Sequence, residues 1–234
     1  MQTLGQTAVV TGGTRGLGLG IAEALAKAGY DTVTIARGPG ADIVADAAGP
    51  GLAERVIAER APSVLVLNAG VLPDPRPVHE QTWESFSAPW EVDVRQAFEW
   101  TRAALRAPLA PGGVVVLMSS GAALGGSPRS GGYAGAKAMV RFVARYADDE
   151  AARLGLGLRF VALLPGLSPG TGVGDVGAAA YAAREGITVA AFRERLGAVV
   201  TPEVAGAAVL EVLADPAAAA GAYSVSAAGL TKIE

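Results

Sequence analysis

The five residues YAGAK, at 133–137, place a phenol and an amine four residues apart in a stretch rich in glycine and alanine. On a helix, side chains at i and i+4 project from the same face, so Tyr133 and Lys137 can share one small site. A phenol is a poor acid or base near neutral pH unless a nearby cation stabilises its phenolate, and Lys137 is placed to be that cation. The pair therefore indicates proton transfer to or from a bound substrate.

A glycine-rich turn near the N-terminus indicates a phosphate site. In TAVVTGGTRGLGLGIAEAL, at 7–25, Gly12, Gly16 and Gly18 stand between a β-branched run and a helical pattern. Glycine lets the backbone approach a pyrophosphate, and a helix N-terminus offers unpaired N–H groups and a positive dipole end. On this motif alone, a tight glycine turn with no ligand is the alternative.

Further motifs occur in the order in which one protein family has them. The glycine turn resembles the TGxxxGxG loop of the short-chain dehydrogenases/reductases, and NAG at 68–70 resembles that family's second motif. Ser120, followed by Tyr133 and Lys137, resembles its catalytic serine and YxxxK pattern. LLPG at 163–166 resembles the proline-glycine after its sixth strand. Over nearly its whole length the chain is identified as a member of this family.

The resemblance implies a role for each matched residue. Tyr133 donates the proton, Ser120 holds and polarises the substrate oxygen, and Lys137 also bonds the nicotinamide ribose. Ser119 is adjacent, but strand alternation sends it to the opposite face, and the spacing of thirteen to Tyr133 favours Ser120. The cofactor-binding residues implied are Gly12, Thr14, Arg15, Gly16, Leu17, Gly18, Arg37, Asp46, Asn68, Ala69, Gly70, Tyr133, Lys137, Pro165 and Gly166.

The sequence departs from the family pattern at two places. Aligning WEVDVRQAF with the helix before the serine strand puts Asp93 where the family usually has an asparagine, whose backbone carbonyl holds a water in the proton relay. A carboxylate near Lys137 would favour the ammonium and partly offset its pull on the Tyr133 phenol. The alternative is a tolerated near-isostere. Five residues beyond Pro165 the family often has a threonine, but this chain has Gly170, so no side chain there is predicted to contact the nicotinamide amide.

The end of the second predicted strand indicates which nicotinamide cofactor is used. It reads TIARG, so Ala36 or Arg37 stands where an acid would accept bonds from a free ribose hydroxyl. Arg15 and Arg37 can together clamp a 2′-phosphate, which predicts NADPH rather than NADH. The alternative is that both are solvated surface charges. By resemblance, Asp46 bonds the adenine amino group.

The elements that position these residues alternate between strand and helix. Continuous apolar runs between alanine-rich segments predict one α/β domain over 1–234, a doubly wound Rossmann-type parallel sheet of about seven strands. Only RGPGA separates Ala36 from Asp42, so DIVAD is either a third strand after a shortened crossover or a loop. Strands are predicted at 7–11, 32–36, 42–46, 63–68, 114–119, 158–164 and, at the edge, 222–227, and helices at 17–28, 51–60, 82–107, 131–154 and 202–214.

Composition excludes several other classes. With 22 acidic and 19 basic residues and no block of like charges, neither a nucleic-acid nor a membrane surface is expected. The absence of cysteine excludes disulfides, thiolate nucleophiles and sulfur-ligated metals, and no metal site is predicted. His79, the only histidine, lies in a polar proline-rich loop typical of a surface position rather than of a general base. The first residues do not resemble a signal peptide, and no run of the sequence approaches the roughly 18 apolar residues that a membrane span needs. A cytoplasmic location is therefore expected.

These observations predict an NADPH-dependent reductase of a small, mainly apolar ketone or aldehyde, with hydride from the nicotinamide and the proton from Tyr133. The segment 167–195 is predicted to form a lid with glycine hinges and a short helix. One alternative is non-redox chemistry, a dehydration, isomerisation or cyclisation, on the same Tyr133 and Lys137. Another is a non-catalytic protein that binds NAD(P) and a protein partner. Family resemblance also implies a homodimer or homotetramer built on helices at 87–107 and 131–154.

Overall fold

Strands and helices alternate along most of the chain, as the apolar runs predict. The structure is a computed structural model that describes residues 5–107, 109–215 and 221–233. The strands are β1 (Thr7–Thr11), β2 (Asp31–Ala36), β3 (Ile43–Val44), β4 (Val64–Leu67), β5 (Val114–Met118), β6 (Arg159–Pro165), β7 (Gly221–Ser226) and β8 (Gly229–Lys232). The helices are α1 (Gly16–Lys27), α2 (Leu52–Arg60), α3 (Trp83–Pro89), α4 (Arg95–Arg106), α5 (Ala122–Gly125), α6 (Gly131–Arg153), α7 (Gly172–Glu185), α8 (Val189–Leu196) and α9 (Pro202–Ala214). A 3-10 turn at Val78–Glu80 and a π-helical turn at Trp90–Val94 complete the described elements.

The described strands form one sheet in the order β3-β2-β1-β4-β5-β6-β7-β8. The first seven strands run parallel, and β8 is antiparallel to β7. The last residue of β1, Thr11, pairs with Ile35 of β2 on one side and with Leu67 of β4 on the other. The chain therefore reverses its direction of travel across the sheet at β1 and β4, which is where α/β sheets of this kind bind ligands.

The shortened crossover between β2 and β3 is present and is closed by a side chain. Ile35 pairs with Ile43 in parallel, although β3 has only two residues instead of the predicted five. The Asp42 carboxylate accepts hydrogen bonds from the backbone N–H (2.8 Å) and hydroxyl (2.7 Å) of Thr34. These bonds hold the two strands in register without a covering helix, and they commit Asp42 to the turn before β3 begins.

Two further predicted elements differ from the observed ones. The helix predicted at 82–107 is divided into α3, the π-helical turn and α4, because Pro89 cannot donate the backbone hydrogen bond that a continuous helix requires. The strand predicted at the sheet edge, now β7, is covered by β8, which raises the number of strands from about seven to eight. β8 is four residues long and contains glycine and lysine, so its strand signal is weak.

Apolar layers on both faces of the sheet hold the fold together. On one face Trp100, Val140 and Phe160 belong to the layer that packs α2, α4 and α6 against the sheet. On the other face α1 and α9 pack closely, since a Cβ on Gly20 would lie 2.2 Å from the carbonyl oxygen of Pro202. The sheet is thus buried on both sides, which explains its continuous apolar strands. Among the described residues, no helix combines the length and the hydropathy that crossing a membrane requires.

Candidate active site

The loops at the carboxyl ends of β1, β4, β5 and β6 surround one cleft with a volume of about 930 Å³. Every residue to which the sequence assigned a catalytic or cofactor-binding role lines it. These residues are Gly12, Thr14, Arg15, Gly16, Leu17, Gly18, Arg37, Asp46, Asn68, Ala69, Gly70, Asp93, Ser120, Tyr133, Lys137, Pro165 and Gly166.

The glycine loop after β1 is tightly wound and tied to the end of β4. Gly12 has a φ of 65°, in the left-handed region that favours glycine. A Cβ on Gly18 would lie 2.2 Å from the carbonyl oxygen of Gly12, so only glycine fits there. The Asn68 amide donates to the carbonyl oxygens of Thr11 (3.1 Å) and Gly12 (3.2 Å). Asn68 therefore stabilises the loop that the sequence predicts to hold a pyrophosphate.

A buried polar network supports the same loop, and the sequence analysis missed its central residue. The Thr11 hydroxyl donates to Oε1 of Gln96 (2.5 Å) and accepts from the backbone N–H groups of Asn68 (2.9 Å) and Ala69 (3.1 Å). Nε2 of Gln96 donates to the carbonyl oxygen of Ala69 at 2.8 Å. Gln96 thus joins α4 to the ends of β1 and β4. The one signal for it in the sequence is a glutamine three residues after Asp93, on the buried side of the same helical segment.

The start of α1 fits a phosphate group. Its N-cap residue, Arg15, makes no side-chain cap, so the first-turn N–H groups are free to bind an anion. Gly16 has a φ of 55°, and a Cβ on it would meet only Thr171, at 3.5 Å. The combination of free donors, a positive helix end and an open approach suits the pyrophosphate of a dinucleotide.

At the end of β2 no acidic side chain faces the cleft. Arg37 follows β2, and its exposed guanidinium, like that of Arg15, makes no ion pair within the described ranges. Asp46 lies farther along the cleft, where its Oδ1 accepts from the backbone N–H of Ala48 at 3.0 Å. Its second carboxylate oxygen has no protein donor in the part of the chain that the structure describes.

The predicted catalytic side chains line the same cleft. Tyr133 and Lys137 lie on the first turns of α6, and Nζ of Lys137 is 5.6 Å from the centre of the Tyr133 ring. The same Nζ donates to the carbonyl oxygen of Met118, at the end of β5, at 3.0 Å. Ser120 follows β5, and its Oγ accepts from the backbone N–H of Ala122 at 3.2 Å, which leaves the hydroxyl proton available to a ligand.

The two neighbouring serines after β5 have different functions in the structure. The Ser119 hydroxyl is buried and donates to the backbone carbonyl oxygen of Lys137 at 2.7 Å. That bond anchors α6 to the sheet. Both serines border the cleft, but only Ser120 keeps its hydroxyl proton available to a ligand.

Asp93 reaches Lys137 directly. One carboxylate oxygen, Oδ2, lies 3.0 Å from Nζ of Lys137, and the other accepts from the backbone N–H of Val71 at 2.9 Å. The two side chains are 1% and 7% exposed. Gly70 leaves room for the carboxylate, since a Cβ there would be 2.9 Å from Oδ2. Burial alone would lower the pKa of Lys137, but the charges of Asp93 and Tyr133 and the bond to Asp93 raise it above its ordinary value.

The segment after β6 crosses the top of the cleft. Thr171 caps α7 by accepting from the backbone N–H of Gly174 at 3.2 Å, and its hydroxyl donates to the carbonyl oxygen of Ser168 at 2.8 Å. Gly172, at the start of α7, faces Leu72 on the opposite wall of the cleft. A Cβ built on Gly172 would lie 3.5 Å from a methyl carbon of Leu72. The predicted short helix is in fact two helices, α7 and α8, because Gly186 ends α7 in a left-handed conformation.

The outer end of the cleft carries polar side chains that the sequence analysis did not assign. The hydroxyls of Ser127 and Tyr181 lie 2.6 Å apart, and Ser130 donates to Ser127 at 2.7 Å. Arg129 lines the same part of the cleft. The available signal was the polar composition of SPRS, at 127–130, between the predicted catalytic serine and tyrosine.

His79 lies outside this cleft. Its side chain is 76% exposed and faces Glu80 at 3.6 Å, as expected for a surface histidine. A serine-histidine-acid triad is therefore excluded here. Within the described ranges, no group of three or more His, Asp or Glu side chains is arranged to hold a metal ion.

Comparisons with known proteins agree with this geometry. A family model described as Enoyl-(Acyl carrier protein) reductase matches residues 35–231. The structure of 3-ketoacyl-(acyl-carrier-protein) reductase from Brucella melitensis, complexed with NADH, is 22% identical, with a TM-score of 0.79 over 96% of this chain and 98% of that one. A Beutenbergia cavernae protein assigned as an NAD(P)-dependent gluconate 5-dehydrogenase, with bound NADP, is 28% identical, with a TM-score of 0.78 over 96% of each chain. The comparison with curated proteins finds no match.

Proposed function

Because the chain belongs to the short-chain dehydrogenase/reductase family of NAD(P)-dependent oxidoreductases, we propose that it uses NADPH to reduce a small, mainly apolar ketone or aldehyde. The observation that carries the proposal is the meeting of Ser120, Tyr133 and Lys137 in the cleft that the glycine loop borders. A protein that only binds a nucleotide has no need of a phenol, an ammonium and a free hydroxyl at one point.

The glycine loop and the two exposed arginines support NADPH as the cofactor. The uncapped start of α1 binds the pyrophosphate, and Arg15 and Arg37 bind the 2′-phosphate with charge-assisted hydrogen bonds. Asp42, the nearest acid after β2, is committed to Thr34 and does not compete for the ribose. Asp46 accepts from the adenine amino group with the carboxylate oxygen that Ala48 leaves free. When bound, NADPH supplies the hydride.

Tyr133, Lys137 and Ser120 handle the proton and the substrate oxygen. The Tyr133 hydroxyl donates its proton to the oxygen as negative charge develops there, and the Lys137 ammonium stabilises the resulting phenolate. Ser120 donates a second hydrogen bond to that oxygen with the proton that Ala122 leaves free. Ser119 takes no part, since its hydroxyl is held by the backbone of α6.

We propose that the segment 167–195 is the lid over the nicotinamide end of the cleft. Its α7 meets the opposite wall where Gly172 approaches Leu72, and an ion pair of 2.6 Å between Asp175 and Arg193 joins α7 to α8. The segment can therefore move as one packed unit that excludes water from the reacting groups.

A homodimer or homotetramer built on α4 and α6 is part of the proposal. These helices expose three aromatic side chains, Phe98, Phe142 and Tyr146, at 52%, 41% and 57%. Phe142 and Tyr146 stack with ring centres 6.1 Å apart and form a flat apolar surface. A second copy of the chain would bury this surface, and light scattering of the purified protein measures the assembly.

Non-redox chemistry is the second candidate, and the Asp93–Lys137 ion pair is the observation that favours it. A carboxylate 3.0 Å from Nζ shares the ammonium that would otherwise act on Tyr133 alone. Such a pair suits an acid and a base that exchange protons within one turnover, as dehydration or isomerisation requires. Substrate converted while NADPH stays unchanged would identify this chemistry.

The experiment that tests the proposal is a titration of the purified protein with NADPH and NADH, followed by NADPH consumption with a panel of ketones. We expect tighter binding of NADPH and oxidation that Tyr133→Phe reduces by at least roughly a hundredfold. Failure to bind either cofactor would overturn the proposal. Full biological activity in Tyr133→Phe would point instead to a non-catalytic protein that binds NAD(P) and a protein partner.

A further inference from the structure

Arg129 is a half-buried cation without a protein partner at the outer end of the cleft. Its Nε is buried and makes no hydrogen bond, and none of the described carboxylates pairs with its guanidinium. A buried donor that is left unsatisfied costs stability unless a ligand completes it. Two arginines of the lid segment differ, since Arg193 pairs with Asp175 and Arg195 pairs with Glu185.

Arg129 belongs to the segment that leads from β5 to the catalytic helix α6. It comes four residues before Tyr133 and one before Ser130, the N-cap residue of α6. The arginines assigned to the cofactor, Arg15 and Arg37, belong to the loops after β1 and β2, whereas Arg129 belongs to the loop after β5. Arg129 is therefore available to the substrate while a dinucleotide occupies the glycine loop.

Three hydroxyls beside Arg129 make this end of the cleft a polar site. Ser130 donates to Ser127, and the Ser127 oxygen lies 2.6 Å from the Tyr181 hydroxyl of α7. The Ser130 side chain does not cap α6, and the positive end of that helix adds to the potential of the guanidinium. The hydrogen bonds from Ser130 through Ser127 to Tyr181 also link the cleft wall to the lid segment.

We propose that Arg129 binds the carboxylate of the substrate, so that the enzyme acts on a keto acid rather than on an uncharged ketone. This inference rests on the proposed reductase and defines its substrate class. A guanidinium matches a carboxylate with two parallel hydrogen bonds. One cation with neutral hydroxyls suits a single negative charge better than a phosphate dianion. The neighbouring lining residues Leu167, Val176 and Ala180 accommodate a short apolar chain between the carboxylate and the carbonyl.

The test compares acids with their esters. Isothermal titration calorimetry with NADP+ present measures the binding of 3-oxobutanoate, 4-oxopentanoate and 5-oxohexanoate and of the methyl ester of each. We expect at least one acid to bind roughly tenfold or more tightly than its ester, the ratio typical of a charge-assisted bond. Arg129→Gln should bring the affinities of acid and ester to the same value. Arg129→Lys keeps the charge but cannot make two parallel hydrogen bonds to a carboxylate, so it should retain part of the difference.

Arg184→Gln is the matched control. Arg184 is an exposed arginine of α7 that borders the shallow neighbouring hollow next to Ser127 and Pro128, so its removal changes the local charge equally. It should leave the ratio unchanged. Equal binding of acids and esters across the series, or a ratio that survives Arg129→Gln in a protein with unchanged thermal unfolding, would overturn the inference. If the Arg129-dependent ratio holds but NADPH is not oxidised, the carboxylate site stands and the reductase proposal fails.

Discussion

The ammonium of Lys137 lies 3.0 Å from the carboxylate of Asp93, and both groups are almost completely buried. Lys137 therefore serves two groups, the carboxylate on one side and the Tyr133 ring on the other. Because Asp93 holds the pKa of Lys137 above its ordinary value despite burial, the lysine stays charged throughout the neutral range. The strength with which that charge acts on Tyr133 then depends on how much of it Asp93 neutralises.

Replacing Asp93 with asparagine should move the alkaline limb of the pH–rate profile of ketone reduction to lower pH, by roughly one unit. The amide still accepts from the backbone N–H of Val71, but it no longer opposes the effect of burial on the pKa of Lys137, so the lysine loses its charge at lower pH. The measurement is kcat/KM from pH 6 to pH 10.

Asp149→Asn is the control for that profile. Asp149 is an exposed carboxylate on α6, the helix that carries Lys137, and its loss removes the same charge from the chain. It should leave the profile unchanged. An Asp93→Asn profile that coincides with wild type would show that the ion pair does not regulate proton transfer.

The neighbouring serines should respond to alanine in opposite ways. Ser120→Ala removes a donor to the substrate oxygen and should lower kcat by roughly 10²- to 10³-fold with little change in unfolding free energy. Ser119→Ala removes a buried hydrogen bond to the backbone of Lys137 and should cost about 1–3 kcal/mol of stability, with a smaller effect on kcat. Steady-state kinetics and urea unfolding of both variants check the assignment, which would be wrong if the two effects were exchanged.

The parts of the site that depend on local spacing could be predicted from the sequence. Tyr133 and Lys137 share one face of α6 because they are one turn apart, and the glycine loop combines a turn and a helix start within a few residues. The spacing of thirteen to Tyr133 favoured Ser120 over Ser119. The parallel sheet and the shortened crossover were predictable for the same reason, since each depends on apolar runs and on the length between them.

The contacts that join distant segments could not be predicted. Thr11 and Gln96 are 85 residues apart, and only the packing of α4 against β1 and β4 brings them together. Asp93 approaches Lys137 directly from a π-helical turn. The sequence predicted one continuous helix over 82–107, so this contact was not predicted. From the sequence, Arg129 is one polar residue among several in its loop, and only the folded cleft shows that its Nε has no hydrogen-bond partner among the described residues.

Replacing Arg37 with glutamine should weaken the binding of NADPH by roughly tenfold or more and leave that of NADH unchanged. The exposed guanidinium of Arg37 has no ion-pair partner in the described chain. It takes no part in the proposed proton transfer. Fluorescence titration with both cofactors measures the ratio. Arg55→Gln, an exposed arginine on α2, is the control for a general loss of positive charge. A parallel loss of NADH binding would instead indicate that the glycine loop itself had been disturbed.

Thr34→Val should weaken the turn between β2 and β3 at neutral pH but not in acid. The two hydrogen bonds from Thr34 hold the pKa of Asp42 below its ordinary value of 3.8. A lowered pKa in the folded state means that the bonds contribute stability above the unfolded pKa, and that this contribution disappears as the pH falls through the folded one. The valine variant, which keeps the backbone bond and loses the hydroxyl, should therefore unfold at a lower urea concentration than wild type at pH 7, and the difference should shrink below pH 4.

Thr32→Val on the same strand is the control. The Thr32 hydroxyl bonds the carbonyl oxygen of Tyr30 at 3.3 Å, so its loss should show no such pH dependence. A difference between Thr34→Val and wild type that is the same at both pH values would mean that the Asp42 charge does not stabilise the crossover.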